Sequence, residues 1–193
     1  MKKITLAFLF IVSCFTLIAQ GTWKADPNHS KLGFTITHMG IADVPGRFDK
    51  FEVKATTTEK DFSDAVVEMT AETNTINTRV APRDKHLKSA DFFDAEKFPA
   101  MVFKSASVKK SGENKYKLTG DLTMHGITKS VTMDMWYRGT IENENKKLTA
   151  GIQITGTIKR SDFDIGPKFP APMLSDEVVI KADGEFGQQV EVQ

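Results

Sequence analysis

The chain has 193 residues, with 26 Lys and Arg against 25 Asp and Glu, so its formal net charge is +1 and no cationic field is available for a nucleic-acid surface. Hydrophobic residues at 40% and charged residues at 26% exclude intrinsic disorder over most of the chain. The single Cys, Cys14, excludes an internal disulfide and a thiolate metal cluster.

Lys2 and Lys3 followed by the apolar run Ile4 to Ala19 read as a secretory signal peptide over residues 1–19, too short and wrongly flanked for a spanning helix. Cleavage after Ala19 starts the mature chain at Gln20 and removes Cys14. Loss of the two lysines takes 26 basic residues to 24 against 25 acidic ones, a net charge of −1. The expected location is the periplasm or the outside, where a Cys-free chain is at home. The rival reading takes Ile11 to Cys14 ("IVSC") as a lipobox that anchors the protein through a lipid on Cys14; the apolar run Phe15 to Ala19 argues against it.

Residues 20–193 form one domain, with no linker or low-complexity break. From Leu32 onward the dominant signal is period two, which predicts half-buried strands. Leu32, Phe34 and Ile36 alternate with Gly33, Thr35 and Thr37; Phe51, Val53 and Ala55 alternate with Glu52 and Lys54; Ala65, Val67, Met69 and Ala71 alternate with Glu68 and Thr70. The pattern breaks at residues 79–89, where Pro82 suits a first helical turn and Asp84 complements its dipole, so one short helix is predicted there. Strands resume at about Ala100. Tyr116, Leu118, Leu122 and Met124, then Ile127, Val131, Met133 and Met135, then Leu148, Ala150, Ile152, Ile154 and Ile158, then Val178, Ile180, Ala182 and Phe186 form the later apolar rows. Polar turns at Lys109 to Lys115, Met124 to Thr128 and Glu142 to Lys147 predict hairpins between them.

About eight antiparallel strands and one helix fit a barrel or a sandwich. An outer-membrane barrel needs an apolar outer face and aromatic girdles. Here the opposite faces carry Lys, Glu, Asp and Thr, and the chain has 2 Trp and 2 Tyr. The apolar rows therefore point inward.

The four His residues, His29, His38, His86 and His125, lie far apart without ligand spacing, so no metal site is expected. No nucleophile elbow or phosphate loop is present, and no catalytic residue is assigned. "RDKHLKS" gathers Arg83, Lys85, His86 and Lys88 at the helix, where Arg83 and His86 are candidates for an anionic head group. The alternative is a solvated face with Arg83 paired to an acidic residue. The inward rows combine Phe and Met, 14 and 8 in the whole chain, which suits either a hollow barrel with an adaptable apolar guest or a packed core.

Four motifs carry a resemblance: Asp26 to Phe51 ("DPNHSKLGFTITHMGIADVPGRFDKF"), Arg83 to Ser105 ("RDKHLKSADFFDAEKFPAMVFKS"), Leu118 to Val131 ("LTGDLTMHGITKSV") and Ser175 to Ile180 ("SDEVVI"). In this order they resemble the YceI-like proteins, secreted bacterial lipocalin-like proteins, over essentially the whole mature chain. The resemblance implies an all-β fold, an extended eight-stranded antiparallel barrel with a small helical element. It implies binding of a long isoprenoid, a polyprenyl phosphate or an isoprenoid quinone, in an apolar tunnel. Phe34, Phe92, Phe93 and Phe103 match its aromatic positions, and with Ile36, Met69, Met133, Ile152 and Ile154 of the inward rows they are the expected lining. No cofactor is required, the lipid or quinone being the ligand. A lipophilic small molecule is the expected partner, membrane contact is expected to be transient unless Cys14 is lipidated, and a dimer is the one assembly to consider. The competing functions are an enzyme acting on such a lipid, with His86 or His125 as acid–base residue, and a stress-response protein with a solid core. "KFPAP" (Lys168 to Pro172) fits neither lining nor head-group role from sequence.

Overall fold

Strands that are apolar on one face and polar on the other bury the apolar face most completely when the sheet closes on itself. The computed structural model describes residues 21–189; the leader, its cleavage point and Cys14 lie outside them. Ten strands are found among these residues: β1 Gly21–His38, β2 Ala42–Phe48, β3 Phe51–Thr57, β4 Val66–Glu72, β5 Ile76–Asn77, β6 Ala100–Gly112, β7 Lys115–Met124, β8 Ile127–Glu142, β9 Leu148–Lys159 and β10 Leu174–Gln189. Eight form an antiparallel ring in the order β10-β9-β8-β7-β6-β4-β3-β1, and β10 pairs back with β1 to close it. The expected eight-stranded barrel is therefore the fold.

β1 begins earlier than its alternation suggests and serves two neighbours on one edge. Its first part, Gly21 to Lys24, pairs with β3, while Leu32 to His38 pairs with β2. Between these parts a register shift against β10, from Ala25 to Ser30, carries the "DPNH" segment. β2 and β5 stand outside the ring as a flap, β5 meeting β2 at Arg47 and Phe48. Sequence reading missed β2, because Pro45 and Gly46 look like a turn. Pro45 sits on this peripheral strand, where a missing donor is tolerated. Gly46 faces the Phe34 ring so closely that a Cβ there would collide with it.

Burial follows the expected period. In β4, Val67 and Ala71 are buried while Val66, Glu68, Thr70 and Glu72 are exposed; in β7, Tyr116, Leu118, Leu122 and Met124 are buried. The barrel has two unlike ends. At one, Trp23 meets Phe62 with ring centroids 5.1 Å apart, and Phe62 meets Tyr137 at 5.2 Å. Tyr116, 0% exposed, lies in the same layer, and these rings form a floor. The loop that brings Phe62 there is held by Asp64, which accepts the hydroxyls of Thr57 and Thr58 and the backbone N–H groups of Thr58 (2.9 Å) and Glu59 (3.2 Å).

The other end carries the irregular segments. The helix predicted over residues 79–89 is α1, Ala81–Leu87. The backbone N–H and hydroxyl of Thr78 donate to the Asp84 carboxylate at 2.8 and 2.5 Å. The β1–β2 turn has Met39 at φ 54° and Gly40 at φ 70°, with Ile41 N–H donating to His38 C=O at 3.2 Å. Two consecutive positive φ values turn the chain within the three residues, Met39 to Ile41, that separate the paired His38 and Ala42. For Met39, a left-handed backbone costs about 1 kcal/mol that Gly40 does not incur.

Candidate ligand-binding site

Above the aromatic floor the barrel is hollow. A cavity of about 460 Å³ runs through it toward the end that carries α1. This is within the range of small-molecule sites, and it removes the packed-core alternative. Phe34, Ile36, Met69, Phe92, Phe93, Phe103, Met133, Ile152 and Ile154, the nine apolar residues named from the sequence, all stand on its wall. Phe103, Met133 and Ile152 are buried, and Ile36 and Ile154 are half-buried. The lower wall includes Leu118 and Phe186, directly above the Tyr116 and Trp23 layer. At the other end His38, His86 and Met173 line the cavity and are also exposed, which places the mouth there.

Of the polar groups on the wall, His38, Thr78, Arg83, His86 and Arg160 stand toward this mouth, while Ser30, Lys31 and Asp183 lie at the β1–β10 register shift. Arg83 and His86 both line the cavity. Arg83 donates from Nε to Thr78 Oγ1 at 2.7 Å and from Nη2 to Thr78 C=O at 3.0 Å. The acidic partner considered from sequence is therefore replaced by Thr78, while Asp84 next to Arg83 is engaged by Thr78 as well. This leaves part of the Arg83 fork unused. His86 sits 3.3 Å from Asp91 through Nε2, and Asp91 also accepts Lys168 Nζ at 2.6 Å. The Lys168 hydrogen bond, aided by His86, holds the Asp91 carboxyl below its usual range.

The loop "KFPAP" proves to be part of the rim. Phe169 stacks on Phe92, centroids 5.0 Å apart and planes 13° from parallel, and the His86 ring meets both edge-on at 5.0 and 5.5 Å. What positions this loop is Arg160, which sequence reading missed. It is 7% exposed, and its five N–H groups donate to the carbonyls of Ser175, Ile165, Gly166, Phe169 and Leu174. Its partners are all main-chain oxygens, so nothing in the residue pattern announces them. The guanidinium fork gathers both ends of the 165–175 segment onto one cation.

Of the other imidazoles, His125 and His29 lie away from His86, and only His38 shares its cavity. His125 donates from Nδ1 to the Phe163 carbonyl oxygen at 3.0 Å and packs edge-on against Phe98 outside the cavity. His29 lies in the β1 shift, 2.9 Å from Asp26 and 3.8 Å from Glu185, and Asp26 raises its pKa. His38 is on the mouth.

The YceI-like domain profile matches residues 23–186. A UPF0312 protein of Pectobacterium carotovorum subsp. carotovorum is 36% identical over 189 residues, 95% of this chain and 98% of that one. Protein YceI of Salmonella agona is 35% identical over 188 residues, again 95% and 98%. Among solved structures, the YceI protein of Campylobacter jejuni superposes with a TM-score of 0.74 at 27% identity, covering 98% of this chain and all of that one, 100%. A polyisoprenoid binding domain from Saccharophagus degradans shares the fold at a TM-score of 0.65 and 14% identity, over 87% and 98% of the two chains.

Proposed function

The chain belongs to the YceI-like family, and from that premise we propose that it is a lipid-binding protein that holds the long apolar tail of an isoprenoid, a polyprenyl phosphate or an isoprenoid quinone, inside the barrel. The observation that carries this reading is the apolar cavity, open at one end and floored by aromatic rings at the other. An apolar tail removed from water there gains about 25 cal/mol per Å² of buried surface. Phe and Met side chains on the wall adapt to a chain of variable kinks. The polyisoprenoid binding named for the Saccharophagus neighbour is consistent with the same guest.

The head group stays at the mouth, beside Arg83 and His86. Arg83 has donors to spare for a phosphate, and His86 is held by Asp91 in the aromatic rim. Binding suffices as a function, and no reaction is assigned; His125, one of the two acid–base candidates, lies off the cavity. Export by the leader at residues 1–19 gives a periplasmic or secreted carrier, for storage, transport or sequestration of the lipid.

Mass spectrometry of an organic extract of the purified protein tests this directly, together with titration of the emptied protein with prenyl compounds. A co-purified isoprenoid that rebinds is expected. An extract free of lipid, with no binding of any prenyl compound, would end the proposal.

A further inference from the structure

The end of the barrel that opens also carries large apolar side chains in water. Ile41 is 89% exposed, Met39 51% and Met173 46%. They lie on two segments bonded to each other, since Met39 N–H donates to Met173 C=O at 2.9 Å and His38 pairs with Leu174 across β1 and β10. Ile36 and Val44, on the two strands that lead to the patch, and Met173 within it also line the cavity. Met39 also occupies a left-handed backbone at the hairpin tip, a position that Asn, Asp or Gly fills at less strain. Exposure and strain fall on the same residue, beside the mouth. An observed outlier of this kind is a reason to look for function.

We propose that the lip formed by Met39, Ile41 and Met173 docks into the surface of a lipid bilayer and sets the cavity mouth against it. The tail then passes between bilayer and barrel without crossing water. This rests on the lipid-binding reading above, and adds the surface through which that lipid is loaded. The area favours a bilayer over a protein: three side chains fall far short of the roughly 800 Å² per partner of a stable protein interface. Shallow insertion between head groups, by contrast, needs only a few apolar side chains. Since the contact is apolar, it persists on zwitterionic membranes and at high salt.

The test compares wild type with a Met39→Asn, Ile41→Asp double variant. Neither residue lines the cavity, and Asn suits a positive φ, so an unchanged circular dichroism spectrum is expected. The probe is a dansyl-labelled geranylgeranyl chain, delivered either from cyclodextrin or from phosphatidylcholine vesicles. The variant should take it from cyclodextrin with an affinity within about twofold of wild type, yet extract it from vesicles roughly tenfold more slowly or worse. Equal extraction rates overturn the proposal. So does a slower rate matched by an equal loss of affinity from cyclodextrin, which would make the tip part of the binding site. A wild-type dimer that the variant abolishes, seen by sedimentation, would assign the lip to self-association and also overturn it. Should neither protein bind the probe from cyclodextrin, the lipid-binding reading fails; docking then stands if wild type floats with vesicles and the variant does not, and falls if neither floats.

Discussion

Asp64 shows how a single side chain holds the closed end shut. Burial pushes its pKa up, but hydrogen bonds from Thr57, Thr58 and the Thr58 and Glu59 backbone outweigh this and bring it down to about 2. A folded-state pKa below the unfolded value of 3.8 means that the stabilisation is complete well above 3.8 and is lost as pH falls toward 2. Asp64 is exposed, so solvent screening reduces its value. Asp64→Asn is expected to cost about 1 kcal/mol at pH 7, and the gap to wild type should shrink when urea unfolding is repeated at pH 2.5. Arg160 does the corresponding work at the mouth. Its five donors serve five carbonyls, and a lysine offers three from a single point. Arg160→Lys should therefore leave buried carbonyls unsatisfied and lower stability by about 2 kcal/mol. Amide hydrogen exchange should quicken first in residues 165–175. Equal protection in both proteins would show that the fork is dispensable.

At the scale of elements, register decides which side chains meet the guest. Ile154 faces the cavity and Thr155 the other side of β9, opposite Lys181 and Asp134 in the neighbouring strands. Ile154→Asp should cost about 2 kcal/mol or more and abolish prenyl binding, since it sets a carboxylate in an apolar wall. Thr155→Asp should cost under about 1 kcal/mol, being a surface change; similar losses for the two in a denaturation series would mean the register is one residue out. This much was legible in the amino-acid pattern, because alternation reports which face is wet. The helix at α1 was legible too, from Pro82 and Asp84. β2 was not, since Pro45 and Gly46 obey a packing rule set by Phe34 rather than a local one. The rim loop was not, since Arg160 holds it through main-chain oxygens. Hollow and solid barrels draw on the same Phe, Met and Ile residues, so the cavity itself had to be seen.

For the whole molecule, a guest held by apolar area predicts a dependence on length. Shortening a prenyl tail should weaken binding by at most about 0.8 kcal/mol per buried CH₂ lost, until the chain no longer fills the cavity. If Arg83 meets a phosphate, Arg83→Ala should weaken a prenyl phosphate more than a quinone of equal length; an equal loss for both in isothermal titration would leave Arg83 a purely structural role through Thr78. The aromatic floor has a kinetic corollary. Trp23, Phe62 and Tyr137 turn the barrel into a blind alley, so an incoming chain has no exit through which to push the resident one. Exchange must wait for the first occupant to back out, and its rate should stay the same however much competitor is added. On the proposed function the alley would also be a gauge: prenyl units beyond its depth would remain outside, within reach of a receiver of the lipid.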